Sequence, residues 1–216
     1  MLKKGKYLQI AFNRSLSEVR AMIEMLPSSN RILIEAGTSF IKNYGERGIA
    51  ILKSWWDLKT KGNSYIVADL KCMDRGSREV DIAARAGASA ATCLGLAPIE
   101  TINEFIKNCK SAAIDSMIDM MNVSFPFEVL QKLKKLPNIV ILHRGADESE
   151  KQIPYHQIHQ IKGSYNILIS VAGGENLKEV RRAIFNDADI AVVWRAFYEN
   201  PEKTGKLAKE FLREIR

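Results

Sequence analysis

Eight short apolar runs punctuate the chain, and each gives way to a longer stretch with helical periodicity. The runs begin at Tyr7 (YLQIAF), Arg31 (RILIEA), Ser64 (SYIVADL), Ser89 (SAATCLG), Ala113 (AIDSMID), Asn138 (NIVILH), Asn166 (NILISVAG) and Asp189 (DIAVVW), roughly every 23 to 33 residues. Runs of this length with little polar alternation suit strands buried on both faces. Between them, apolar residues recur at helical spacing, as in Leu16, Val19, Met22, Ile23 and Leu26, and again in Leu207, Phe211 and Ile215. Ser15 and Ser17 are candidate caps of the first helix, and Pro27 stops it. Gly87 and Gly163 punctuate helix-to-strand returns. The unit between the second and third runs is the longest, because Trp55-Trp56 extends its helix before Gly62.

Strand followed by helix, eight times, predicts a single (β/α)₈ barrel over residues 1–216. A doubly wound sheet usually has fewer strands and a glycine-rich first turn, whereas the first turn here reads Phe12-Asn13-Arg14-Ser15. With 216 residues, 46% of them hydrophobic and 26% charged, the chain can bury one sizeable core. No apolar run approaches the roughly 18 to 20 residues of a membrane span. The basic start, Met1 to Lys6, leads into a strand rather than a signal-type apolar segment, so the expected location is cytoplasmic. The net charge of +7 raises nucleic acid as a partner. Yet the basic residues are scattered along helices, as in Lys132-Leu133-Lys134-Lys135, without interleaved aromatics. A solvated surface that attracts phosphorylated metabolites fits better. The three cysteines, Cys72, Cys93 and Cys109, lack CxxC spacing and read as reduced thiols near the core.

In such a barrel the site lies at the C-terminal ends of the strands. Polar groups recur at nearly every one: Asn13, Glu35, Asp69 with Lys71, Thr92 with Gly95, Asp119, His143 with Arg144, Gly173-Gly174 and Arg195. Asp69, Lys71 and Asp74 form a D-x-K-x-x-D pattern. On an extended segment Asp69 and Lys71 face the same way, and Asp74 follows after a bend. Glu35, Asp69 and Asp119 are three carboxylates suited to a hard cation such as Mg²⁺, which would grip vicinal sugar oxygens and stabilise an enediolate. Lys71 suits neutralising such an anion or moving a proton. His143, closing the run Ile139 to Leu142, is a candidate for proton transfer and equally a satisfied core histidine. His156 and His159 read as surface residues. Gly173-Gly174 with Arg195 reads as a phosphate cradle, the glycines admitting the anion to the backbone and the arginine adding a charged fork.

The segment from Ala68 to Asp74, followed by Glu79 to Ala83 and Ala86-Gly87-Ala88, resembles the 3-hexulose-6-phosphate synthases of the orotidine 5′-monophosphate decarboxylase suprafamily. The 3-keto-L-gulonate-6-phosphate decarboxylases are their near relatives. Further similar segments follow in order: Gln9-Ile10-Ala11, Ile34 to Thr38, Thr92 to Gly95, Asp119 to Val123, His143 to Asp147 and Ser170 to Gly174. The resemblance implies a homodimeric barrel. It implies Mg²⁺ on Glu35 and Asp69, and an enediolate of ribulose 5-phosphate stabilised by Lys71. His143 would be placed for proton transfer, with Asp119 in the same catalytic set, and Asp74 would reach the partner's site. The reaction joins formaldehyde to ribulose 5-phosphate, or runs backwards. Asn13 stands where that family usually has Asp, and it cannot act as a base. Trp194 stands where the family usually has Gly before the strand 8 arginine. Ala146 stands where the decarboxylases tend to carry Arg, which argues against decarboxylation, and Glu148-Ser149 replaces a common Glu-Gln or Gln-Gln pair. Two other readings stay open: a related decarboxylase, and a non-catalytic sugar-phosphate-binding barrel.

Overall fold

The computed structural model describes residues 1–145, 147, 155–174 and 176–215. The eight runs form β1 (Tyr7–Phe12), β2 (Ile32–Ala36), β3 (Ile66–Cys72), β4 (Ala90–Leu94), β5 (Asp115–Asp119), β6 (Ile139–His143), β7 (Leu168–Gly174) and β8 (Ile190–Val193). They pair in parallel, in sequence order, and β8 closes onto β1. The intervening helices are α1 (Leu16–Met25), α2 (Thr38–Thr60), α3 (Gly76–Arg85), α4 (Ile99–Ser111), α5 (Pro126–Lys132), α6 (His156–Ser164) and α7 (Leu177–Phe185). After β8 come α8 (Arg195–Glu199) and α9 (Thr204–Glu214). The expected single (β/α)₈ barrel is the fold.

Two apolar layers hold it. Outward-facing strand residues and the inner faces of the helices form one cluster, which includes Phe12, Phe40, Trp56, Phe105 and Phe211, all essentially inaccessible. Each such side chain contributes about 1.5–3 kcal/mol through burial. The barrel interior is filled by Ala11, Leu33, Val67, Ala90, Met117, Ile139, Ile141, Ala172, Ile190 and Val192. At the N-terminal end of the barrel, the Leu2 backbone N–H and the Tyr65 hydroxyl each donate to Asp115 Oδ2 at 2.7 Å. Asp115 is buried there, and this anchored segment leaves the C-terminal end as the mouth.

Several local expectations need correction. Ser15, not Ser17, caps α1, through a capping box with Glu18. Gly163 lies inside α6, whose end falls at Ser164, so it does not make the return to β7. Gly87 does make its return, at φ +83. The long α2 breaks at Gly45, where φ 58 and ψ −153 are open to glycine alone. His156 and His159 are exposed and the three cysteines are buried and unpaired, as expected.

Candidate active site

The D-x-K segment reaches the mouth by a route that strand periodicity does not predict. The β3–β4 ladder slips between Ala68 and Cys72, and Lys71 sits in the left-handed region at φ +47. Lys71 and Asp69 therefore share a face through a bulge, not through extended alternation. A non-glycine residue there costs about 1–2 kcal/mol, and bulges often re-aim a side chain beside a site. Hydrogen bonds hold the distortion. The Lys71 N–H donates to Thr92 Oγ1 at 2.9 Å, and the Thr92 hydroxyl donates to Asp69 Oδ1 at 2.8 Å. The Thr38 hydroxyl, in the first turn of α2, donates to Asp69 Oδ2 at 2.8 Å.

Lys71 Nζ stands 2.7 Å from Asp69 Oδ2 and 3.6 Å from Asp119 Oδ2. Burial alone would lower the pKa of Lys71, but the charges of Asp69 and Asp119 outweigh it and hold the ammonium above the usual lysine range. Burial likewise works to raise the Asp69 carboxyl. The Lys71 charge and the hydrogen bonds from Lys71, Thr38 and Thr92 win, and Asp69 titrates below its ordinary value. His143 Nδ1 lies 2.8 Å from Asp119 Oδ2. Against the opposing effect of burial, that hydrogen bond and the Asp119 charge raise the imidazole pKa.

Glu35 is the unstable member of the group. It is buried, and burial together with the neighbouring Asp69 charge pushes its carboxyl up to about 7. The Gln9 amide donates to Glu35 Oε2, and Gln9 Oε1 is buried with no hydrogen-bond partner among the described residues. Glu35 and Asp69 are adjacent buried carboxylates that share one ammonium, and with the unsatisfied Gln9 carbonyl oxygen they form a set of hard oxygen donors. Among the described residues, no cluster of three or more His, Cys, Asp or Glu is arranged around a common metal position. An ion such as Mg²⁺ takes one or two protein carboxylates and keeps several waters, and Glu35 and Asp69 are donors of that kind.

Asn13 follows β1 directly. Its Oδ1 accepts from the Ser39 N–H at 3.3 Å, and its own N–H donates to the Tyr198 hydroxyl oxygen at 2.6 Å. The amide lies flat against Gly37, where a Cβ would stand 2.3 Å from Oδ1. Across the mouth, Gly173 has φ +101, and a Cβ there would meet the Arg144 carbonyl at 2.8 Å. Gly174 ends β7, and Arg195 opens α8 rather than ending β8. Arg144 Nη2 donates to the Gly173 carbonyl at 2.6 Å.

A cavity of about 600 Å³ joins these groups, lined by Asn13, Glu35, Asp69, Lys71, Asp119, His143, Gly173 and Arg195. Asp74 does not line it. It is exposed, and its Oδ1 accepts from the Arg75 N–H at 2.7 Å. Ala146, Glu148 and Ser149 lie outside the described residues. Gln9, Thr38 and Glu179 also line the cavity, and Tyr198 braces it through Asn13, none of them expected as site residues from the sequence. Gln9 was recoverable, since it shares the inward face of β1 with Ala11 and is the polar exception there. The other three are brought in by helices, and short-range pattern carries no sign of them.

The sequence profile of the orotidine 5′-phosphate decarboxylase / HUMPS family matches residues 6–209. Among curated proteins, the chain is 38% identical over 212 residues to the "Bifunctional enzyme Fae/Hps" of Methanothrix thermoacetophila, covering 97% of this chain and 53% of that protein. It is 37% identical over 207 residues to the protein of the same name from Archaeoglobus fulgidus, covering 94% and 51%. The chain thus spans about half the length of these relatives. In fold it is similar to 3-hexulose-6-phosphate synthase from Salmonella typhimurium, with a TM-score of 0.84, 23% identity and coverage of 97% and 98% of the two chains. It is also similar to 3-keto-L-gulonate-6-phosphate decarboxylase from Vibrio cholerae, with a TM-score of 0.78, 19% identity and coverage of 99% and 98%.

Proposed function

The chain belongs to the orotidine 5′-phosphate decarboxylase / HUMPS family, and from that premise we propose that it is an aldehyde-lyase that interconverts hexulose 6-phosphate with ribulose 5-phosphate and formaldehyde. The observation that carries the reading is the Lys71 ammonium, held between Asp69 and Asp119 in the cavity that also holds the His143–Asp119 pair. The Hps designation of the relatives supports the same substrate class.

In the synthetic direction a C1 proton leaves ribulose 5-phosphate, and the electron pair becomes a 1,2-enediolate. The fixed positive charge of Lys71 would offset that anion. The enediolate carbon then attacks formaldehyde, and the new alkoxide takes a proton. His143 is suited to the proton traffic. Asp119 engages Nδ1 and orients the ring, and Nε2 has no partner among the described residues. Glu35 and Asp69 would hold Mg²⁺, with Gln9 orienting Glu35. The ion would supply Lewis-acid stabilisation of vicinal substrate oxygens. Gly173, Gly174 and Arg195 would receive the phosphate. Incubation with ribulose 5-phosphate, formaldehyde and Mg²⁺ tests the reading. Consumption of both substrates in equal amounts is expected, and a folded protein that consumes neither contradicts it.

The proposal includes a homodimer. Met73, Leu96 and Phe125 sit on three successive loops at the mouth and are 48%, 46% and 68% exposed. A paired copy would cover these apolar groups and would bring the exposed Asp74 toward the partner's cavity. Sedimentation is expected to give the mass of two chains, and Phe125→Asp to give one. A monomeric wild type removes the role assigned to Asp74.

A further inference from the structure

The cavity has two unlike sides. The charged groups Glu35, Asp69, Lys71, Asp119 and His143 stand on β2 to β6. On the side running from β7 through β8 to β1, Ala172, Val192, Ala11 and Trp194 form an apolar strip, flanked by the polar groups of Gln9, Asn13 and Arg195. Trp194 is only partly buried, yet its ring packs against both the barrel interior and the outer core. It therefore lies over the end of the barrel rather than out in solvent.

The indole is braced. The Tyr198 ring is 5.9 Å away at an interplanar angle of 57°, and the Arg195 guanidinium lies 5.2 Å from the Trp194 ring centroid. Tyr198 is itself fixed, because its hydroxyl oxygen accepts from the Asn13 N–H and its proton goes to the Ala11 carbonyl at 3.1 Å. The Arg14 guanidinium covers the Tyr198 ring at 4.6 Å. An aromatic face locked in this way is a built surface of the cavity.

We propose that Trp194 is a specificity-determining residue whose indole is the platform for the C–H face of the substrate's phosphorylated carbon chain. The inference rests on the sugar-phosphate reading above. A polyol phosphate turns its oxygens toward Lys71, Glu35 and Asp69, which leaves its carbon-bound hydrogens toward the opposite wall. Polarised C–H groups are attracted to the negative face of an aromatic ring. Inorganic phosphate has no such face and gains nothing from the indole.

Trp194→Ala and Trp194→Phe test this against the wild type. The KM for ribulose 5-phosphate is expected to rise about tenfold in Trp194→Ala with kcat little changed, as when binding common to ground and transition states is lost. Trp194→Phe recovers most of the loss, and the inhibition constant of inorganic phosphate stays the same in all three. Trp55 and Trp56 lie in α2 away from the cavity, so the emission lost in Trp194→Phe isolates Trp194. In the wild type ribulose 5-phosphate changes that emission beyond any change that inorganic phosphate produces through Arg195. An unchanged or lower KM in Trp194→Ala, at an unchanged melting temperature, overturns the proposal. So does a parallel loss of sugar-phosphate and inorganic-phosphate affinity, which would mean that the indole acts only through Arg195. A folded wild type that neither binds nor turns over any sugar phosphate overturns the functional reading first, and this inference with it. Equal binding by wild type and variant overturns this inference alone.

Discussion

Replacing Lys71 by alanine is expected to lower the aldolase rate about 10²–10³-fold. An ammonium fixed beside a developing oxyanion acts without reorganisation, and loss of a single such stabiliser typically costs 10²–10³. Lys71 is also the cation paired with Asp69 at 2.7 Å, and it lies 3.6 Å from Asp119. Its removal leaves the buried Asp69 carboxylate without its cation, so the variant is expected to lose about 2–4 kcal/mol of stability as well. Rates are therefore compared per folded molecule, with circular dichroism reporting the fold. Lys71→Arg returns the charge but not the activity. The planar guanidinium cannot take the place of a compact ammonium on a left-handed bulge stitched to Thr92. A Lys71→Ala protein that stays folded and keeps more than a tenth of wild-type activity would remove Lys71 from the chemistry.

The second large effect concerns Glu35 and the cation. Its folded pKa of about 7 is raised from 4.5. Between those values the folded protein holds a proton that the unfolded chain has released. Without divalent cation, stability accordingly falls as pH rises through this window, by about 3 kcal/mol in all. Above pH 7 the carboxylate is ionised beside Asp69, and Mg²⁺ binding to that pair offsets the repulsion. Millimolar Mg²⁺ should then raise the melting temperature by several degrees at pH 8 and hardly at all at pH 5. Glu35→Gln should flatten the pH dependence and abolish the Mg²⁺ effect. Equal shifts at both pH values, or none, would contradict a metal role for Glu35 and Asp69.

The barrel was legible in the sequence because strands buried on both faces leave near-continuous apolar runs, and here eight of them recur at even spacing. The residues at the mouth were legible because a charged or polar group that ends such a run has few other places to go. Glu35, Asp119 and His143 follow that logic. Lys71 was placed at the mouth by the wrong geometry. Its bulge depends on Thr92, 21 residues away on the next strand, and no local pattern encodes it. The break in α2 was hidden because apolar spacing continues across Gly45, where only the backbone changes. Asp74 was a site residue by resemblance, and in a single chain it faces solvent. For Trp194, in the place of the family's usual Gly, no local pattern says which way the side chain points. Its ring packs on the barrel interior and against Tyr198, whose hydroxyl is tied to Asn13 and Ala11 almost 190 residues earlier.

The most direct test is the initial rate of formaldehyde release from hexulose 6-phosphate, measured with Mg²⁺ and again after EDTA. Release that depends on Mg²⁺ and returns when the ion is restored is the predicted result. It would identify the reaction and show that Asn13 is compatible with it. Silence in both conditions, from protein of unchanged fold, would contradict the assignment of this cavity to hexulose-phosphate chemistry.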